Sequence, residues 1–420
     1  MHTLNTLHTL QINGTRLLAQ LQTLADIGRT ETNACCRLAL TDEDKAGRDL
    51  VVGWMKELGM SISVDPIGNV FGVRAGTRPE LAPIMTGSHT DTVRTGGAYD
   101  GNYGVLAGLE VVATLNEAKL NTERSIVVGI FTNEEGARFA PDMLGSLVYV
   151  GGMPLDEALA VKAIDGAVLG EELKRIGYQG SAQLGVHKPH AFVELHIEQG
   201  PLLDADGIKI GAVENLQGIS WQELTIVGQS NHAGTTPMRL RHDAGYAASA
   251  VSTFVRELTR KMGGNQVGTV GHVVLTPNLI NVIAARATIT VDLRNTDERL
   301  LQQAEQAFND FLKSLSESEG VTITSRRLAR FEPVVFDAAL TDRIAHHAQA
   351  LGLSHQRMTS GAGHDAQMMA RICPTSMIFV PSVGGISHNP AEHTEPNDLI
   401  AGANVLLATL TELATQESNP

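Results

Sequence analysis

Apolar positions recur at helical spacing over residues 13–28, where Leu17, Leu18, Leu21 and Leu24 fall on one face. A second helix is predicted over 42–58, opened by Thr41 and the acids behind it and stopped by Gly59. Short apolar runs at 84–86, 126–132 and 192–197 suit buried strands. Helical patterns at 104–118, 155–160 and 170–176 lie between them. Strands alternating with helices predict an α/β domain with a mostly parallel sheet and helices on both faces. After about residue 212 the pattern changes. Residues 221–227 alternate apolar and polar, as a half-exposed strand does, and a helix (244–261), two strands (267–275, 286–293), a helix (298–315) and a strand (321–327) follow. This βαββαβ order predicts an inserted α+β domain of the ferredoxin-like kind. The first pattern then resumes with a helix at 338–351, a strand at 376–381 and a helix at 396–414. The expected organisation is one discontinuous domain, 1–212 and 329–420, interrupted by another at 213–328. The last few residues read as frayed.

Composition narrows the function. A chain of 420 residues, 43% hydrophobic, can bury a sizeable core, which excludes a wholly disordered protein. With 32 Lys and Arg against 46 Asp and Glu, the net charge of −14 argues against a nucleic-acid surface. Aromatics make up only 4%, so a stacking platform for sugars or bases is not expected. Cys35, Cys36 and Cys373 form neither a disulfide framework nor a CxxC zinc site, which predicts a reducing cytoplasm. The stretch MHTLNTLHTLQINGTRLLAQLQTL has no basic start followed by a long apolar block, so no signal peptide is read. No continuous apolar run reaches 18 residues, so no membrane contact is expected.

Ligands of α/β sheets bind beyond the carboxyl ends of the strands. Here those ends carry Gly87-Ser88-His89-Thr90-Asp91, Asn133-Glu134-Glu135-Gly136, His196 with Glu198-Gln199-Gly200, and Gly384-Gly385-Ile386-Ser387-His388. A tight turn, Gly96 to Gly101, presents Asp100. Imidazoles and carboxylates converging in this way make a ligand set suited to zinc, manganese or cobalt. A solvated turn does not account for two carboxylates directly after the apolar run 126–131. A cation does, because an unpaired buried carboxylate is costly. The His89-x-Asp91 spacing lets the Asp91 carboxylate accept the second N–H of His89 and fix its tautomer.

The motifs GSHTDT, GGAYDG, NEEGARF, ELHIEQGP, SNHAGTTPM, SGAGHDA and GGISHNPAE, spread from about residue 15 to 415, resemble the hydantoinase/carbamoylase family, a branch of the dinuclear-metal M20 peptidases. The resemblance implies an M20-type catalytic domain and an inserted dimerisation or lid domain. It implies two divalent ions, zinc first, with manganese, cobalt or nickel as alternatives. Asp100 would bridge them, and His89, His196, Glu135 and His388 would complete the ligands. Glu134 would be the general base and Asp91 the residue that orients His89. His232 would stabilise the oxyanion from the inserted domain, across a dimer or a domain closure. Arg294 would pair with a substrate carboxylate, its plain alternative being a salt bridge to Asp292 or Asp297. Asn281, Gln199, Gly363 and His364 would line the pocket, although His364-Asp365 could equally cap a helix. Thr90, Thr92 and Tyr99 depart from the common pattern without changing a ligand.

The implied partners are a small ureido substrate bearing a carboxylate and a second copy of the chain. The implied reaction is hydrolysis of the carbamoyl C–N bond of an N-carbamoyl-L-amino acid to the L-amino acid, carbon dioxide and ammonia. Allantoate amidohydrolase and β-ureidopropionase activities are the alternatives on the same scaffold, followed by an aminoacylase or peptidase. One methylene of substrate length changes binding by only about 1–3 kcal/mol, so the motifs do not separate these substrates.

Overall fold

The computed structural model describes residues 10–415; the expectation of frayed last residues, and the first nine residues of the stretch read for a signal peptide, lie outside them. Two compact units form, one from the chain up to Glu214 and from Phe336 onward, the other from Asn215–Val335.

The larger unit is built on a nine-stranded sheet. Its centre is β3 (Ile84–His89), β4 (Ile126–Phe131), β5 (Ala191–Ile197) and β13 (Thr375–Val380), in the order β4-β3-β5-β13 and all parallel. Every residue of these four strands is buried. That explains their unbroken apolar runs: both faces are covered, so no alternation is needed. The margins are antiparallel. On one side lie β1 (Ser61–Val64) and β2 (Val70–Arg74), and on the other β6 (Ile210–Leu216). β12 (His355–Ser360) also pairs with β6, and the two-residue β11 (Val334–Val335), which closes the second unit, pairs with Asn215 and Leu216 where β6 enters that unit.

The helices Asn102–Glu117 and Pro396–Thr415 pack on the sheet and on each other. By length and composition Pro396–Thr415 could cross a bilayer, but most of it is buried in this core, so its apolar character serves packing. The helix Asp42–Glu57 begins as its sequence suggests: the Thr41 hydroxyl accepts the Asp44 amide, and Gly59 follows in the left-handed region. Within this helix Arg48 and Asp44 form a fully buried ion pair of 3.0 Å, and Arg48 also donates to the Gly68 carbonyl at 2.8 Å. Removing only the cation would strand a buried carboxylate. Arg48→Met is therefore expected to destabilise the protein by about 3–5 kcal/mol, read from denaturant midpoints; a shift below 1 kcal/mol would contradict this.

The second unit holds β7 (Gly218–Val227), β8 (Val267–Thr276), β9 (Arg286–Asn295) and β10 (Thr322–Phe331) in the antiparallel order β10-β7-β9-β8. The helices Ala244–Met262 and Glu298–Glu319 cover one face, with Leu224, Ile226, Ile289 and Val291 packed against Val251, Val255, Leu301 and Phe308. The order and connections are those of the ferredoxin-like α+β sandwich.

Candidate metal centre

The four central strands bring their carboxyl ends together, and the candidate ligands lie there. His89 is the last residue of β3 and His196 the penultimate residue of β5. Glu134 and Glu135 follow β4 after a turn whose Asn133 lies at φ 55°. Asp100 sits in the turn before the helix Asn102–Glu117. Gly101 beside it has φ 66°, and a Cβ there would overlap the His89 ring at 2.4 Å. Only glycine allows the turn to approach the imidazole this closely. Gln199 and His388 also lie in the left-handed region. Such conformations cost free energy and gather at functional sites.

Asp100 is the hub. Its Oδ1 lies 3.3 Å from His196 Nε2 and 3.7 Å from His89 Nε2. Its Oδ2 lies 3.3 Å from His388 Nε2, which is also 3.3 Å from Glu135 Oε2. One carboxylate therefore divides its two oxygens between two triads, His89-Asp100-His196 and Asp100-Glu135-His388. The side chains of Asp100, His89, His196 and Glu135 are buried, whereas that of His388 is 51% exposed, so the cluster opens on the His388 side.

The donor set fits a pair of cations. His89 Nδ1 lies 2.9 Å from the Asp91 carbonyl, and His196 Nδ1 lies 2.8 Å from the Ile197 carbonyl. Each Nδ1 must carry hydrogen to make that bond, which leaves each Nε2 facing the Asp100 carboxylate. The Gly101 amide donates to His196 Nε2 at 3.2 Å, whereas His89 Nε2 faces the carboxylates of Asp100 and Glu134. A lone pair facing a carboxylate is repulsive unless a proton or another positive charge lies between them. Asp100 and Glu135 raise His388 to about 10, and Asp100 and Glu194 raise His196 to about 9 despite its burial. Burial instead lowers His89 to about 4. Burial, with the neighbouring charges of Asp365, Glu135, Asp100 and Glu194, holds Glu134 well above the usual carboxylate range. Divalent cations meet the same demand for positive charge.

Asp91 is adjacent, but its contact with His89 comes through the backbone carbonyl and not through the carboxylate that the spacing suggested. The carboxylate instead accepts the Glu134 and Glu135 amides at 3.3 and 3.4 Å, because the chain folds back over β3. Glu134 Oε2 lies 3.3 Å from His89 Nε2. Gln199 donates to Asp100 Oδ2 at 2.8 Å. His364 is buried with its ring centroid 4.5 Å from that of His196. It precedes the short helix Asp365–Met369 but makes no side-chain capping bond, so the capping alternative fails. That role falls to Glu194, whose Oε2 accepts the Ala366 amide at 2.8 Å. Gly363 is half-buried beside Met143.

Three candidates belong to the second unit. His232 is exposed, and its Nδ1 accepts the Gly234 and Thr235 amides at 3.0 and 3.2 Å, which places its hydrogen on Nε2. Its segment pairs with that of Asn281, whose carbonyl accepts the Ala233 amide at 2.9 Å. Arg294 forks onto Asp292 at 2.9–3.1 Å and lies over Trp221, so the plain salt-bridge alternative is occupied. Two further acids emerge only in three dimensions, Glu194 and Glu392, although both stand inside motifs quoted above. Glu194 shares a strand face with His196, two residues away, and binds Ser88 at 2.7 Å. A charge inside an otherwise apolar strand was the available signal.

Residues 85–412 match the peptidase family M20/M25/M40. This chain belongs to that family, in its hydantoinase/carbamoylase branch. It is 41% identical to an N-carbamoyl-L-amino-acid amidohydrolase of Rhizobium meliloti, over 96% of this chain and 97% of the relative. An allantoate amidohydrolase of Escherichia coli (strain K12) is 35% identical over 86% of this chain and 89% of its own. Among solved structures, a hydantoinase/carbamoylase family amidase from Burkholderia multivorans superposes with a TM-score of 0.95 at 45% identity. That match covers 98% of this chain and all of the other.

Proposed function

We propose that this M20-family hydrolase cleaves the carbamoyl C–N bond of an N-carbamoyl-L-amino acid, releasing the L-amino acid, carbon dioxide and ammonia. The observation that carries the chemistry is the division of Asp100 between two ligand triads with Glu134 beside them. The substrate class rests on relatives that bear this activity in their names. His89, Asp100 and His196 would hold one divalent cation and Asp100, Glu135 and His388 the other, zinc first, with manganese, cobalt or nickel as alternatives. Such a pair supplies a Lewis acid for the carbonyl oxygen and acidifies water.

Glu134 takes a proton from the attacking water and hands it to the departing nitrogen. Its carboxylate lies beside the ligand triads, 3.3 Å from His89 Nε2, within reach of both transfers. Asp91 supports it by fixing two successive amides of its turn through the carboxylate and His89 through the carbonyl. His232 presents an Nε2–H donor, held by two backbone amides at Nδ1, to the oxyanion of the tetrahedral intermediate. Gln199, Gly363, His364 and Asn281 line the substrate pocket.

Arg294 receives the substrate carboxylate as a bidentate partner in exchange for Asp292. Arg294→Ala is expected to raise KM for carboxylate substrates about 10–100-fold, as the loss of a hydrogen bond to a charged group predicts, with a smaller change in kcat. An unchanged KM would place carboxylate recognition elsewhere.

A homodimer is part of the proposal. Edge strand β8 is exposed along most of its length and carries no Lys, Arg, Asp or Glu, whereas the opposite edge, β10, carries Arg326, Arg327 and Arg330. An uncharged, unprotected edge invites pairing with the same edge of a second copy. The free thiols of Cys35, Cys36 and Cys373 are compatible with a cytoplasmic setting.

The test is ammonia release from N-carbamoyl-α-amino acids, N-carbamoyl-β-alanine and allantoate, with zinc, manganese or cobalt added. Turnover confined to the α-amino acid derivatives supports the proposal. Preference for allantoate moves the chain to the activity of its Escherichia coli relative, and no turnover on any of them refutes the reading.

A further inference from the structure

Glu392 closes the motif GGISHNPAE, and nothing above gives it a task. Its carboxylate is buried and fully engaged. One oxygen accepts the Tyr99 and Asp100 amides at 3.0 and 3.3 Å; the other accepts the Ser387 hydroxyl at 3.0 Å. A single side chain therefore joins the turn that carries Asp100 to the loop that carries His388, two segments almost 300 residues apart in sequence. The Thr95 hydroxyl also holds this loop, donating to the His388 carbonyl at 3.0 Å, but Glu392 is the side chain that reaches the Asp100 amide itself. His388 lies at φ 53°, a left-handed conformation uncommon outside glycine, and its side chain is half exposed. Gly97 of GGAYDG makes room for the bridge: a Cβ there would lie 2.2 Å from Glu392 Oε1.

We infer that Glu392 is a positioning residue that sets Asp100 and His388 at the separation the Asp100-Glu135-His388 cation site requires. It touches the backbone of one ligand and the neighbour of the other, and neither reacting atoms nor substrate. The inference rests on the metal-pair reading above, and its test separates the two.

Zinc is titrated into the metal-free full-length protein by calorimetry, with zinc content measured after dialysis. Wild type is expected to bind two equivalents. Glu392→Ala is expected to keep one tight equivalent and weaken the other about 10–100-fold, the usual effect of losing an outer support of a ligand. His388→Ala should weaken that same equivalent. Glu392→Gln should keep both equivalents, because its amide oxygen still accepts the two backbone amides and its nitrogen can donate to Ser387.

Gly97→Ala displaces the carboxylate without altering it. Gly97 is not among the residues with positive φ, so alanine there meets Glu392 and not a forbidden backbone angle. It should reproduce Glu392→Ala, and the double variant should be no worse than either single one, as expected for two changes that break one contact. If Glu392→Ala fails to fold, Gly97→Ala and Ser387→Ala carry the test. Two wild-type equivalents in Glu392→Ala and Gly97→Ala would overturn the inference, as would equal weakening of both equivalents or a Gln variant as poor as Ala. Fewer than two equivalents in wild type would instead overturn the metal-pair reading.

Discussion

Glu134→Gln is expected to leave both cations bound and to cut turnover by about 10²–10⁴-fold, the usual share of a general base. The substitution is isosteric. The Glu134 amide keeps its bond to Asp91, and the turn after β4 keeps its shape, so Glu135, the proposed ligand, stays in place. What changes is proton affinity. The carboxylate is 7% exposed, and burial together with four neighbouring carboxylates drives its affinity for a proton up. An amide takes up no proton at neutral pH. Single-turnover ammonia release measured beside metal content checks the prediction. Retained turnover with two bound cations would remove Glu134 as the base, and loss of cations would recast it as a ligand.

The second large effect is at Asp100. Asp100→Asn is expected to weaken both cations at once, whereas Glu135→Gln or His388→Ala weakens one. The carboxylate gives one oxygen to each triad, so a single charge serves both sites. A unit charge pair at about 4 Å and an effective dielectric near 20 is worth about 4 kcal/mol, close to a thousandfold in affinity. Removing the charge also leaves His196 and His388 without the group that draws positive charge to them. Zinc content after dialysis should fall from two equivalents towards none. One equivalent retained at full affinity would mean that Asp100 serves a single cation.

The apolar runs made the central strands readable because burial on both faces leaves no other pattern for them to show. The βαββαβ insertion was readable for a different reason: its strands alternate and its helices carry one apolar stripe. The margins of the large sheet were missed. β1 and β2 have four and five residues, carry serines and a glycine, and gain their strand character from pairing with β4 and each other. Short segments of that kind have no periodicity of their own to read. The boundary of β3 was also drawn too short, and the correction matters for the site. His89 belongs to the strand, so its position is fixed by the ladder with β4.

The residue types of the candidate centre were legible in combination: one imidazole or carboxylate at a strand end has ordinary structural uses, whereas several converging at neighbouring strand ends point to a cation. Their contacts were not. Spacing alone assigned His89 to the Asp91 side chain. The fold gives it the Asp91 carbonyl and turns the carboxylate towards the Glu134 turn, since a local bond competes with one made across 43 residues of chain. Glu194 and Glu392 stood in plain view within two motifs and acquired roles only when Ser88, Ala366, Tyr99, Asp100 and Ser387 came within reach. Sequence by itself determined the central strands, the inserted order and which donor types gather at the strand ends, because hydrophobic period, glycine turns and donor type are local properties. Tertiary structure alone decided which oxygen faces which imidazole, since hydrogen-bond geometry is set at the ångström scale by segments that the chain keeps far apart.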